Sequence, residues 1–422
     1  MKKEIKITLL IIPIILVAFS LERFVVIIDT SYDPYSEYAS TKKEERGELL
    51  DYEFIKTITS DEINGLFPET DENEGDISNL PEYDIDLYRI NYTSIFLYDI
   101  VTLSGLIIVP QKTGPLSHMQ YHHGTLYPYA DNLYGESLLD APSLYDGNYP
   151  DRQYAQYESR LFGNFLGSYG YLVSLPDYIG YGVSEDYEHT YSVNDRLAEQ
   201  SVDMIIATQA FCTDQSIDLN DKLFLSGWSE GGAAALATQK LIESDYEGQI
   251  SVTANAPLAS FSRPRFFGQL LLPLAPFDFT DWGTDLHQLL WATYAINRYT
   301  DDKPLDTAYI FKFEVENQFD VLRDRPTNRP SQSIRYFIKG KSKLMSKYAQ
   351  NDLSGGWAPQ APIYIHHGTD DTEVFYYFNA EPTVRNLNKL GGDVELVKYP
   401  GHDHYTLDKL YLLNMIDEFG QY

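Results

Sequence analysis

From about residue 84 onward, short apolar runs alternate with segments of helical period. Residues 87–95 alternate apolar and polar side chains, and 98–109 continue with β-branched residues up to Pro110; this predicts an antiparallel opening pair of strands. Residues 117–125 read as a strand ending in His123-Gly124, and 171–176 as the next strand, running into a turn-rich loop at 177–184. Between them lie a Tyr-, Gly- and Pro-rich loop at 126–151 and a helix over 154–166. A longer helix over 192–211 sets Val193, Leu197, Met204, Thr208 and Phe211 on one face, and Ser192 with Asp195 suits a capping-box start. Leu223-Phe224-Leu225 begins a strand that turns through Gly227-Trp228-Ser229-Glu230-Gly231 into an Ala-rich helix. Residues 250–256, 362–366 and 394–399 are further strands; 378–390 and 405–419 are helices, the last with Leu407, Leu410, Tyr411 and Ile416 toward the sheet. Strands alternating with helices predict an α/β fold whose mostly parallel sheet is covered by helices on both faces. No internal repeat or low-complexity tract interrupts the pattern.

Two regions fall outside that rhythm. Residues 29–83 are acidic, Tyr-rich and weakly periodic, so an irregular wrap or solvated extension is expected there. Residues 262–360 form an insertion of helical blocks, 285–299 and 333–348 among them, expected as a cap between the two parts of the core, 84–261 and 361–422. The N-terminus combines Lys2, Lys3 and Lys6 with an apolar run over 7–19, short for a membrane span and suited to a signal peptide, with Ala18-Phe19-Ser20 as a cleavage site. A second apolar run at 24–28 makes an uncleaved anchor the alternative, so 1–28 predicts export, secreted or held at the cell envelope.

The 32 Lys and Arg against 62 Asp and Glu give a formal charge of −30. Nucleic acid and anionic membrane surfaces repel such a chain. The single cysteine, Cys212, allows no intramolecular disulfide and reads as a core thiol, and no zinc-type Cys/His spacing is present.

The G-x-S-x-G between an apolar strand and an Ala-rich helix has the context of a nucleophile elbow, with Ser229 at a helix N-terminus that favours developing negative charge. An activated serine needs a base, and the base needs an orienting group. Acidic residues follow a late strand in His366-His367-Gly368-Thr369-Asp370-Asp371, and histidines follow the next in Tyr399-Pro400-Gly401-His402-Asp403-His404. With these stretches and the Pro176-Asp177-Tyr178-Ile179-Gly180-Tyr181-Gly182-Val183-Ser184 loop, the chain from residue 84 on resembles the α/β-hydrolase superfamily, in particular its secreted lipase and esterase branch.

That resemblance implies an α/β-hydrolase fold with Ser229 as nucleophile, Asp371 as acid and His404 as base; the adjacent Asp370 and His402 stay open as alternatives. It implies an oxyanion hole from the backbone N–H of Glu230 and one donor of the His123-Gly124-Thr125 loop, with Thr125 as the candidate. The Asp177-Tyr178 loop is expected to be structural. Trp228, Phe266, Phe267 and Trp291 are candidates for an apolar wall around an acyl chain, which predicts preference for medium-chain over acetyl esters. The expected activity is hydrolysis of a small carboxylic ester or lipid through an acyl-enzyme, with no cofactor and no metal. A serine peptidase on the same fold and a catalytically silent binding protein are the alternatives; the sequence leaves the oligomeric state open.

Overall fold

The computed structural model describes residues 33–67, 76–129, 137–148, 156–271, 283–311, 314–323 and 343–422. The expected signal or anchor segment and most of the 333–348 block lie outside the described residues.

Among the described residues, nine strands, β1 (Leu49–Ile58), β2 (Ile85–Phe96), β3 (Asp99–Pro110), β4 (Leu116–His122), β5 (Leu172–Pro176), β6 (Leu219–Trp228), β7 (Ala254–Leu258), β8 (Ile363–Gly368) and β9 (Val394–Tyr399), form one sheet in the order β1-β2-β3-β5-β4-β6-β7-β8-β9. β2 and β3 are the expected antiparallel pair, and β3 also runs antiparallel to β5. β4, β6, β7, β8 and β9 join β5 in a parallel block. The extension departs from expectation, because Leu49–Ile58 is an edge strand, β1, antiparallel to β2. Its side chains are largely exposed or half-buried, so it lacks the apolar alternation that marks the inner strands.

Helices cover both faces. α1 (Pro34–Thr41) precedes the sheet. α2 (Asn164–Tyr169) and the last helix, α8 (Asp408–Phe419), pack Phe165, Leu166, Tyr411, Met415 and Phe419 against Met119, Val173 and Phe224 on one face. α3 (Asn194–Asp214), α4 (Glu230–Asp245) and α7 (Tyr376–Lys389) cover the other. Cys212 is buried there. The expected Ser192 cap is absent: Val193 stands at the N-cap of α3, and Ser192 takes the left-handed φ of 59°. In the predicted 154–166 helix, residues 159–163 form a π-turn that leads into α2.

β4 shows why buried parallel strands read poorly as alternating ones. Met119 and Tyr121 join the apolar core, while His118, Gln120 and His122 point to the other face and are equally buried. Ser174, the Ser201 carbonyl and the Ser226 carbonyl satisfy them. The insertion builds α5 (Pro264–Leu271) and α6 (Gly283–Tyr299). A second apolar cluster, with Trp291, Tyr294, Ile296 and Tyr348, joins α6 to Tyr127 and Tyr191 of the core loops.

Candidate active site

Ser229 stands between the end of β6 and the start of α4, as the N-cap of that helix, with φ 58° and ψ −113°, a conformation that costs a non-glycine residue free energy. The surroundings hold it there. Its N–H donates to the Leu258 carbonyl at 2.9 Å, and its own carbonyl accepts from Ala233 at 3.2 Å. The motif's glycines allow the bend: a Cβ on Gly231 would lie 2.0 Å from the His122 carbonyl oxygen, and one on Gly227 would lie 2.5 Å from the same oxygen.

The His123-Gly124-Thr125 loop crosses close above, where a Cβ on Gly124 would be 3.8 Å from Ser229 Cβ. Glu158 takes the Gly124 N–H at 2.8 Å and the Tyr121 hydroxyl at 2.8 Å. Among the described residues, neither the Thr125 N–H nor the Glu230 N–H has an acceptor. His122 and His123 are buried ties between strand ends, with His122 Nδ1 2.8 Å from the Ser226 carbonyl oxygen and His123 Nε2 3.1 Å from that of Asp177. Asp177 itself is buried, accepting from the Ser143 N–H and the Ser104 hydroxyl.

Asp371 lies in the loop after β8. Its Oδ1 accepts the N–H groups of Glu373 and Val374, each at 2.9 Å. Its Oδ2 faces two imidazoles, His404 Nδ1 at 2.7 Å and His367 Nε2 at 3.1 Å. Burial alone would raise the Asp371 carboxyl, but His404 and His367 hold it well below the usual carboxylate range. Burial acts to lower His404; the Asp371 charge and hydrogen bond outweigh it and raise the imidazole above its ordinary value. With Nδ1–H on Asp371, Nε2 is the nitrogen left to accept a proton. The His404 ring stands 5.5 Å from the ring of Trp228, the residue before Ser229. Of the twin residues, Asp370 is exposed beside Thr369, and His402 is tied to the Thr406 carbonyl at 2.9 Å.

A cavity of about 380 Å³ opens on Ser229. Phe261, Phe267, Leu289, Ala292, Val374 and Phe375 supply its apolar wall; Tyr191, Ser192, Gln288, Thr372 and Glu373 add polar atoms. Of the four expected wall residues, Phe267 lines it, stacked on Phe375 at 6.1 Å. Phe266, the next position on the same helix, faces elsewhere, stacked on Phe378 under the Arg263 guanidinium. Trp228 packs between Tyr157 and Tyr405. Trp291 is fully buried behind the wall, stacked on Tyr191 at 4.1 Å with its Nε1–H on Gln318 at 3.2 Å. Sequence reasoning missed His367, Glu158, His189 and Tyr191. The only local signal was the doubled histidine before Gly368. Among the described residues, no group of three or more His, Cys, Asp or Glu side chains is placed to hold a metal ion.

No family model matches the chain, and no curated protein matches it either. Solved structures do. A protein of Legionella pneumophila described as a hydrolase superimposes with a TM-score of 0.69 at 21% identity, over 89% of this chain and 98% of its own. The rice cell wall degrading esterase LipA from Xanthomonas oryzae gives 0.66 at 20%, over 89% and 99%. Candida antarctica lipase A in its closed state gives 0.62 at 15%, over 92% and 86%. The sheet order, the elbow and these superpositions agree: this chain has the α/β-hydrolase fold, in the form that those lipases and esterases adopt.

Proposed function

We propose that the protein is a serine carboxylic-ester hydrolase acting on a small ester or lipid, and that it is exported. The observation that carries this reading is the 2.7 Å bond from His404 Nδ1 to Asp371 Oδ2, in a loop whose next residues wall the cavity onto which Ser229 opens. Ser229 Oγ attacks the ester carbonyl carbon while His404 Nε2 takes its proton. Asp371 holds the tautomer and offsets the imidazolium charge. The N–H groups of Glu230 and Thr125 bind the oxyanion; one such donor is worth about 2.7–4 kcal/mol in the transition state. The intermediate collapses, the C–O bond breaks, and His404 returns the proton to the leaving alcohol. Water, deprotonated by the same imidazole, then releases the acid and frees Ser229. The apolar side chains on the cavity wall support a medium-length acyl chain. Export rests on the 1–28 segment alone.

The test is turnover of p-nitrophenyl acetate, butyrate and octanoate beside an aminoacyl nitroanilide. The proposal expects butyrate and octanoate to be cleaved faster than acetate, with Ser229→Ala inactive on all. Faster cleavage of the anilide would move the reading to a peptidase. No cleavage of any of them would move it to a binding protein.

A further inference from the structure

Three residues of one short stretch, His189, Tyr191 and Ser192, grip both residues whose N–H groups are assigned to the oxyanion. His189 Nε2 lies 3.0 Å from Glu230 Oε1, and the same oxygen accepts the Ser192 N–H at 3.0 Å. His189 is fixed from its other side, with Nδ1 2.9 Å from the Ile179 carbonyl oxygen. Between them, the Tyr191 hydroxyl stands 3.1 Å from Thr125 Oγ1.

The oxyanion loop needs such support. Gly124 and Thr125 form no backbone–backbone hydrogen bond among the described residues, so side chains hold them. Glu158 fixes Gly124 through its N–H, and Tyr191 fixes Thr125 through its hydroxyl. Tyr191 is in turn held by the cap, its ring stacked on Trp291 of α6 at 4.1 Å and 10°. Burial, with the Glu230 charge second, pushes the Tyr191 phenol far up, so it stays protonated and able to hydrogen-bond.

We infer that Tyr191 is a positioning residue for the oxyanion hole: packed on Trp291 of the cap and bonded to Thr125, it holds the Thr125 N–H toward the reacting carbonyl. The inference rests on the serine-hydrolase reading above. It also gives the buried cap tryptophan a task other than touching substrate, since the seating of α6 passes through one ring pair to the oxyanion loop.

The test uses Tyr191→Phe, which removes the hydroxyl and keeps the stacked ring, with Thr125→Val and the double variant. Each is measured with p-nitrophenyl butyrate and with butylboronic acid, a tetrahedral mimic, and thermal unfolding checks that the fold is kept. In Tyr191→Phe, kcat should fall roughly 10-fold, KM should stay within about twofold, and boronate affinity should drop by about the same factor as kcat. Because both substitutions break one bond, the double variant should be no slower than the slower single variant. Unchanged kcat in Tyr191→Phe, a change in KM alone, or multiplying losses in the double variant would overturn the inference. Ser229→Ala separates the two ideas. A dead Ser229→Ala beside a fully active Tyr191→Phe overturns this inference only, while an active Ser229→Ala overturns the hydrolase reading with it.

Discussion

Ser229 holds a left-handed φ that its own side chain does not favour, and such strain at a reactive residue typically costs about 1–3 kcal/mol. Replacing it with glycine relieves the strain; replacing it with alanine does not. Both variants should be inactive, and Ser229→Gly should be more stable than Ser229→Ala by about 1–2 kcal/mol in urea unfolding. Equal stabilities would mean that the elbow is unstrained. The elbow at Ser229 and the stretches that bring Asp371 to His404 were legible in the sequence because each follows a strand at a recognisable spacing. Tyr191 and His189 were not, because each matters through contacts with residues 41 to 100 positions away, such as Trp291 and Glu230. Trp291 was misplaced for a related reason: composition reports that an aromatic is present, but only packing decides whether it faces a cavity or the layer behind it.

Among the elements, β4 leads into the His123-Gly124-Thr125 loop and carries an unusual load of buried imidazoles. Burial lowers His118 to about 3 and His122 to about 4, so both stay neutral in the fold while they charge in the unfolded chain below about 6.5. A histidine with a depressed folded value contributes stability that is fully present above pH 6.5 and is lost as pH falls from there toward its folded value. His118→Gln removes one such group far from Ser229. The variant should therefore lose less stability than the parent between pH 7.5 and 5.0, read from urea midpoints at the two pH values. An equal or larger loss would show that His118 is not neutral inside. The strands and helices of the parallel block were legible from periodicity, since apolar runs bounded by turns read the same whether one face is buried or both. β1 was not, because an edge strand with exposed side chains has no apolar signature.

Across the whole molecule, residues before β1 are fastened to α3 by a buried ion pair as well as by the buried Tyr35 and Ala39. Arg46 Nε meets both Asp203 carboxylate oxygens at 3.1 Å, its other nitrogens reach the Ala39 and Glu199 carbonyls, and Ser94 completes the Asp203 shell. Both side chains are almost fully buried, at 2% and 0% exposure. Arg46→Ala leaves Asp203 buried without its counter-ion and should cost about 3–5 kcal/mol of stability. Ester turnover at 25 °C should survive while the unfolding midpoint drops. A midpoint unchanged from the parent would show that the 33–47 segment is not part of the cooperative fold.

If one hydroxyl is activated by one imidazole, the rate at which a fluorophosphonate modifies the protein, followed by peptide mapping, will read it. One label per chain is expected, on Ser229, forming faster as pH rises through a value above the ordinary 6.5 of histidine. His404→Ala should slow labelling by about 10³-fold or more, while His402→Ala labels like the parent. A label on another residue, or a His404→Ala variant modified as fast as the parent, would overturn the roles of Ser229 and His404.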